Sequence, residues 1–366
     1  MKVSVITRHA ISNYGSLLQT IATQHVIERM GHTCEIIDYI RDDESYIRHE
    51  LTLLKRKPEW YNNPIKRVLY MILRQPESVL AGRKFEKERL QYLNLSRRYS
   101  EYQQLEADAP AADIYVTGSD QVWGPVENGT YDKTYCLAFI QEKKKISYAA
   151  SFGRTEMSNE LKEYYYHHLS KYDYLTVRED SAVSILKSMG LTGIQVLDPT
   201  LLLDGYFWSK LCKPIKEKNY ILVYQLGNNK TLNNYAKKLA RVKNLQLIRV
   251  SPTLHQAFRG GKFAFLPSLE KFLSLVKNAN CLITDSFHGT AFAINFGTQF
   301  IEILPTNTTS SRNVSILRLT GLTDRILSDP RDLSLIDKKI DFKKVELIIR
   351  NERKRSLKIL GDMLHL

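Results

Sequence analysis

A chain of 366 residues with 43% hydrophobic and 10% aromatic residues exceeds one ordinary core; it suggests about two domains and excludes global disorder. A formal charge of +14 and a pI near 9.4 call for an anionic partner, whether a phosphorylated substrate, a phospholipid surface or a nucleic acid. Cys34, Cys136, Cys212 and Cys281 are scattered, with no CxxC pair and no histidine cluster at ligand spacing, which argues against a disulfide framework or zinc site and for a reducing cytoplasm.

Residues 1–7 form an apolar run that ends at Arg8-His9 and reads as a strand rather than a signal peptide. After the turn Asn13-Tyr14-Gly15-Ser16, apolar residues from Leu17 to Met30 recur at helical spacing until Gly31. Residues 34–39 make the next strand and complete a βαβ unit, the building block of parallel sheets. Between Arg48 and Arg98 thirteen Lys/Arg stand against five acids, interleaved with Leu51, Trp60, Tyr61, Leu69 and Tyr70. This stretch, set at 45–100, is a basic helical insertion: either an interfacial helix for an anionic membrane or an ordinary solvated basic face.

A strand returns at 113–117 and ends in Gly118-Ser119-Asp120-Gln121-Val122-Trp123. Another occupies 145–150, and 174–177 leads into Arg178-Glu179-Asp180 and a helix stopped at Gly190. Residues 195–197 run into Asp198-Pro199, where proline ends regular structure. A second strand series follows at 220–225, 245–250, 281–283 and 299–303. The expected domains are 1–205, carrying the insertion, then 206–330, and a tail helix at 331–366 whose apolar stripe packs back on the first domain. The expected fold class is α/β, with two βα-rich halves facing a cleft, where ligand pockets concentrate. No apolar run approaches the ~20 residues of a membrane span.

In open parallel sheets ligands gather at the carboxyl ends of strands, where helix N-termini and loops converge. Polar clusters sit at those ends in Asn13-Tyr14-Gly15, Gly118-Ser119-Asp120-Gln121, Arg178-Glu179 and Asp285-Ser286-Phe287-His288-Gly289, and Ser310-Ser311-Arg312-Asn313 opens a further helix. His288 stands out, because imidazole exchanges a proton near neutral pH. Together these clusters supply a proton-transfer group, a carboxylate and two guanidinium groups.

In order along the chain, Asn13-Tyr14-Gly15, Gly118 to Trp123, Ser147 to Gly153, Arg178-Glu179, Asp198 to Leu203, Asp285 to Thr290 and Ser311-Arg312-Asn313 resemble the polysaccharide pyruvyl transferase family. The resemblance implies a GT-B-like fold of two Rossmann-like domains, the first on the acceptor side and the second on the side of phosphoenolpyruvate (PEP). It also implies transfer of pyruvate from PEP to two hydroxyls of one sugar, giving a ketal and free phosphate. On this likeness His288 is the acid/base and Asp120 takes the sugar proton. Arg178, Arg312, Ser286 and Gly289 bind PEP, and Asn13, Tyr14, Gln121 and Trp123 bind the acceptor. Guanidinium suits the clamping of carboxylate and phosphate, so neither a metal nor a cofactor beyond the donor is expected. Some relatives carry arginine two residues before the histidine; Ser286 stands there in this chain, leaving Arg312 or Lys262 as the second phosphate cation.

The residues also admit plainer roles: Arg178 pairing with Glu179 or Asp180, Asp120 holding the Gly118 turn, Asp285 capping the next helix, and Trp123 and Tyr14 packing in a core. The partners expected are PEP, a glycan acceptor linked to lipid pyrophosphate and an anionic membrane met through 48–98, with no nucleic acid. The location expected is cytoplasmic, peripheral at the inner face of the cell membrane. The competing functions are a nucleotide-sugar glycosyltransferase and a non-catalytic basic protein that binds membrane or nucleic acid.

Overall fold

Short apolar strands separated by helices satisfy their backbone groups by pairing side by side, with the crossover helices covering both faces. The computed structural model, which describes residues 1–126, 128–305 and 310–365, contains two such sheets, parallel throughout. The chain divides into two compact units, Met1–Pro199 with Ile359–Leu366, and Thr200–Lys358. The first boundary thus falls at Pro199, and most of the stretch from 331 onward belongs with the second unit.

The first unit holds seven strands: β1 (Lys2–Ile6), β2 (Thr33–Tyr39), β3 (Leu95–Tyr99), β4 (Ile114–Thr117), β5 (Lys144–Ala150), β6 (Tyr174–Val177) and β7 (Ile194–Gln195), in the order β3-β2-β1-β4-β5-β6-β7. The second holds β8 (Tyr220–Tyr224), β9 (Gln246–Ser251), β10 (Lys262–Phe265), β11 (Cys281–Thr284) and β12 (Phe300–Glu302), in the order β10-β9-β8-β11-β12. The winding reverses between β1 and β4 in one sheet and between β8 and β11 in the other. Such a reversal opens a crevice at the carboxyl ends of the strands.

Two edge strands escape the sequence reading. β3 lies inside the stretch taken as a wholly helical insertion, and its Ser96, Arg97 and Arg98 show no apolar run because an edge strand has one open side. β10 begins at Lys262 and is likewise half-buried. The central strands follow the expected logic: Val3 and Val5 of β1, Val116 of β4, and Ile221 and Ile283 of β8 and β11 are inaccessible to solvent. The Phe287–Phe296 helix is buried continuously through Ile294, so it is apolar on all sides rather than striped. It ends at Gly297, whose φ of +67° is the left-handed geometry that releases a helix C-terminus.

Candidate active site

In the second unit, β11 ends at Thr284 and the chain turns at once into the Phe287–Phe296 helix. Ser286 is its N-cap, and its Oγ accepts the Gly289 N–H at 3.3 Å. Capping therefore falls to Ser286 and not to Asp285. It engages both groups expected to bind PEP at Ser286 and Gly289. A Cβ on Gly289 would lie 2.5 Å from Thr284 Oγ1 and 3.2 Å from Tyr224 Cδ1, so this glycine lets the helix sit close against β11 and β8. His288, 5% exposed, is held in that first turn.

Asp285 has another task. Its carboxylate accepts the backbone N–H groups of Leu226 at 2.7 Å and Gly227 at 3.1 Å, joining the loop after β8 to the loop after β11 across the winding reversal. Burial raises its pKa in spite of those two donors. The next residue of that loop, Asn228, accepts from Arg259 Nη2 at 2.8 Å, while Gln256 accepts from Arg259 Nη1 at 3.0 Å. Arg259 thus stands beside the Asp285 loop, within electrostatic reach of its carboxylate. Arg249, itself buried, donates to the Gly260 and Arg259 carbonyls and fixes this turn. Lys262 does not share the edge: it opens β10 at the opposite end of the strands and pairs with Glu217 at 2.9 Å.

Glu302, at the carboxyl end of β12, is inaccessible to solvent and ties the edge together. Its carboxyl meets Thr290 Oγ1 in a short hydrogen bond and accepts from Asn313 Nδ2 at 2.6 Å. Thr290 lies two residues after His288, and Asn313 directly follows Arg312 in the first turn of the Ser310–Thr320 helix. Asn313 Nδ2 also lies 3.4 Å from the Asp285 carbonyl. One carboxyl therefore supports both turns that carry the expected histidine and arginine. Burial pushes the Glu302 pKa up to about 8, with the Asp285 charge adding to the rise against the Thr290 and Asn313 hydrogen bonds.

In the first unit, Asp120 follows β4 with φ at +80°, a left-handed backbone that costs a non-glycine residue about 1–3 kcal/mol. Its side chain answers the strain locally: Oδ1 accepts the Gln121 N–H at 2.8 Å and Oδ2 accepts Ser16 Oγ at 2.6 Å. Ser16 belongs to the first turn of the Tyr14–Arg29 helix, so β1, β4 and that helix meet at the winding reversal. Arg178, also buried, donates from Nη1 to Asp198 at 2.9 Å and lies 3.8 Å from both Asp120 and Glu179. Ser119 Oγ completes the contact with Asp198 at 2.8 Å. Three carboxylates around one guanidinium leave no surplus positive charge for an anionic donor, so the clamp expected of Arg178 becomes support for Asp120.

Three acceptor assignments change as well. Trp123 has no exposed surface and packs with its ring centroid 4.9 Å from that of Phe152, inside the core of this unit. Tyr14, 2% exposed, packs on Phe85 at 5.0 Å, and the Asn13 side chain caps the Tyr14–Arg29 helix by accepting from Gly15 and Ser16. Gln121 and Asn13 are half-exposed, and Gln121 directly follows Asp120.

The model of the polysaccharide pyruvyl transferase family matches residues 13–306, a span that takes in Asp120, Arg178 and His288. This chain belongs to that family. No curated protein matches it by sequence. Among solved structures, UDP-GlcNAc 2-epimerase from Neisseria meningitidis bound to UDP-GlcNAc has a TM-score of 0.50 at 11% identity, covering 100% of this chain and 99% of that one. A putative UDP-N-acetylglucosamine 2-epimerase from Listeria monocytogenes also reaches 0.50 at 11% identity, over 99% and 90%. These likenesses establish the GT-B fold for this pyruvyl transferase family member and nothing finer. Two supporting residues, Glu302 and Arg259, had no motif to announce them. A lone acid closing the apolar run Phe300-Ile301 was the one available signal, since a buried carboxyl needs partners.

Proposed function

We propose that this protein transfers pyruvate from PEP to two hydroxyls of one sugar in a polysaccharide precursor, forming a ketal and releasing phosphate. The observation that carries the reading is the Glu302 tie: one buried carboxyl supports the turn bearing His288 and the turn bearing Arg312, a proton donor and an anion clamp. His288 gives its proton to the methylene carbon of PEP as a sugar hydroxyl attacks the adjacent carbon, and that hydroxyl's proton passes to Asp120. Ser16 and Arg178 hold Asp120 for this step. Phosphate then departs toward Arg312 and Arg259, and the second hydroxyl closes the ketal, its proton leaving with the phosphate. Asp120 then releases its proton to solvent and His288 takes one up from it, so one PEP and one diol yield one ketal and one phosphate, with no cofactor besides the donor. Gln121 orients the acceptor, which is a glycan on lipid pyrophosphate presented at the cytoplasmic membrane face.

The test is incubation with PEP and a panel of lipid-linked and synthetic glycosides, read by mass spectrometry and phosphate release. The expected result is a product that gains a pyruvate ketal, matched mole for mole by phosphate and lost in His288→Ala. Release of nucleotide from a nucleotide sugar, with PEP untouched, would identify a glycosyltransferase instead.

A further inference from the structure

The Pro64–Tyr92 helix changes character at Pro76. After that residue it buries Glu77, Ala81, Gly82, Phe85, Glu88 and Arg89, with Tyr46 lying against Gly82. Before it, no residue of the helix is buried. Yet Ile65, Val68, Leu69, Ile72 and Leu73 recur at i, i+3, i+4, i+7 and i+8, the spacing of a helix face made to be covered. They are 79, 55, 49, 65 and 63% exposed. The inward side of the same turns is already engaged: Tyr70 donates to Glu50 at 2.9 Å, and Arg74 pairs with Glu50 and Glu77.

The surroundings of this stripe specify what covers it. Lys55, Arg56, Lys57, Lys66 and Arg67 are all exposed, and Glu59 is the sole acid from 55 to 73. Lys66 sits over the Trp60 ring at 5.9 Å and Arg67 over the Tyr61 ring at 5.7 Å, so cations and interfacial aromatics share one rim. A second copy of this face would bring like charges together, and the phosphates of a nucleic acid offer nothing to five aliphatic side chains. An anionic bilayer matches both halves, with headgroups for the cations and acyl chains for the stripe. No described helix is long and apolar enough to cross a membrane, so the match is to lying on a surface.

We propose that residues 55–73 form a membrane-binding face that lies flat on an anionic bilayer, with the Ile65–Leu73 stripe inserted and the flanking lysines and arginines at headgroup level. The inference deepens the reading of a lipid-linked acceptor. Its test uses vesicles without glycan or PEP, so failure of either leaves the other standing.

The full chain is sedimented with phosphatidylcholine vesicles with and without phosphatidylglycerol. Binding is expected only with the anionic lipid, and salt should weaken it. Lys66→Gln with Arg67→Gln removes two charges and should weaken binding about thirtyfold. Ile65→Ser, Leu69→Ser and Ile72→Ser together should weaken it at least about tenfold. These positions are exposed, so the folded state should survive, as circular dichroism would confirm. Trp60 gives a reading on the native chain: it is 39% exposed while Trp123 and Trp208 are fully buried, so a blue shift on vesicle addition, absent in Trp60→Phe, reports insertion. Absence of binding to anionic vesicles overturns the proposal. So does unchanged binding of the serine variant, which would mean adsorption by charge alone. A serine variant that alters the mass of the protein in solution and leaves vesicle binding intact would assign the stripe to contact between copies.

Discussion

Glu302→Gln substitutes an amide for a carboxyl that this fold holds protonated. Burial raises the Glu302 pKa from 4.5 to about 8, so the folded chain keeps a proton on Glu302 across a range in which the unfolded chain loses it. The folded state binds more protons there, and its stability therefore falls as pH rises from 4.5 to about 8, by about 1.4 kcal/mol per unit, then levels off. At neutral pH the accumulated loss is about 3 kcal/mol, an order-of-magnitude figure. Glutamine reproduces the protonated carboxyl. Its Oε1 accepts from Asn313, and its Nε2 donates to Thr290 Oγ1, which donates onward to the Ser286 carbonyl at 3.2 Å in the native chain.

The two proteins should thus be about equally stable near pH 4.5, and the variant about 3 kcal/mol more stable at neutral pH. Urea unfolding of both, followed by circular dichroism at several pH values from about 5 to about 8, measures the difference, in which other titrations cancel. A difference that does not grow with pH, or a variant less stable than the native chain at neutral pH, would refute the argument that Glu302 is buried as the acid.

His288→Ala should leave the fold intact and lower kcat by about 10²–10⁴-fold in a phosphate-release assay, the usual span for a lost general acid. Asp120→Asn keeps the contacts of the left-handed turn but removes the base; kcat should drop by about 10²-fold or more with the acceptor KM little changed. A KM effect alone would make Asp120 a binding residue. Gly289→Ala forces its Cβ to within 2.5 Å of Thr284 Oγ1 and should destabilise the chain by about 1–3 kcal/mol in thermal unfolding. An unaltered melting temperature would show that the helix does not depend on close approach to β11.

Much of this was legible in the sequence because it is local. Strands such as 281–283 and 220–224 are fully apolar, and Ser286, His288 and Gly289 lie within four consecutive residues, so a strand, a turn and a capped helix can be read in a line. What the reading missed depends on partners distant in sequence. Arg178 and Asp198 both appeared in motifs, but only the fold brings their charges to 2.9 Å. Trp123 and Tyr14 look like sugar-stacking aromatics until β4, β5 and the insertion enclose them. Edge strands β3 and β10 lack the two-sided apolar run that makes a central strand visible.

The charge of each edge follows from the same contacts and argues for different ligands. Around Asp120, three carboxylates face one guanidinium, a setting that disfavours an anionic ligand. Around His288, Arg259 stands within electrostatic reach of the Asp285 carboxyl, whose oxygens are taken up by two backbone N–H groups, and Arg312 opens the neighbouring helix. Had Glu302 been ionised at neutral pH, it would have set a second negative charge on the strand edge proposed to hold a phosphate and a carboxylate. Burial removes that charge and leaves the hydrogen bonds. The raised pKa of Glu302 and the proposed binding of an anionic donor are thus one arrangement: a carboxyl ties both turns together and, being protonated, does not repel what those turns hold.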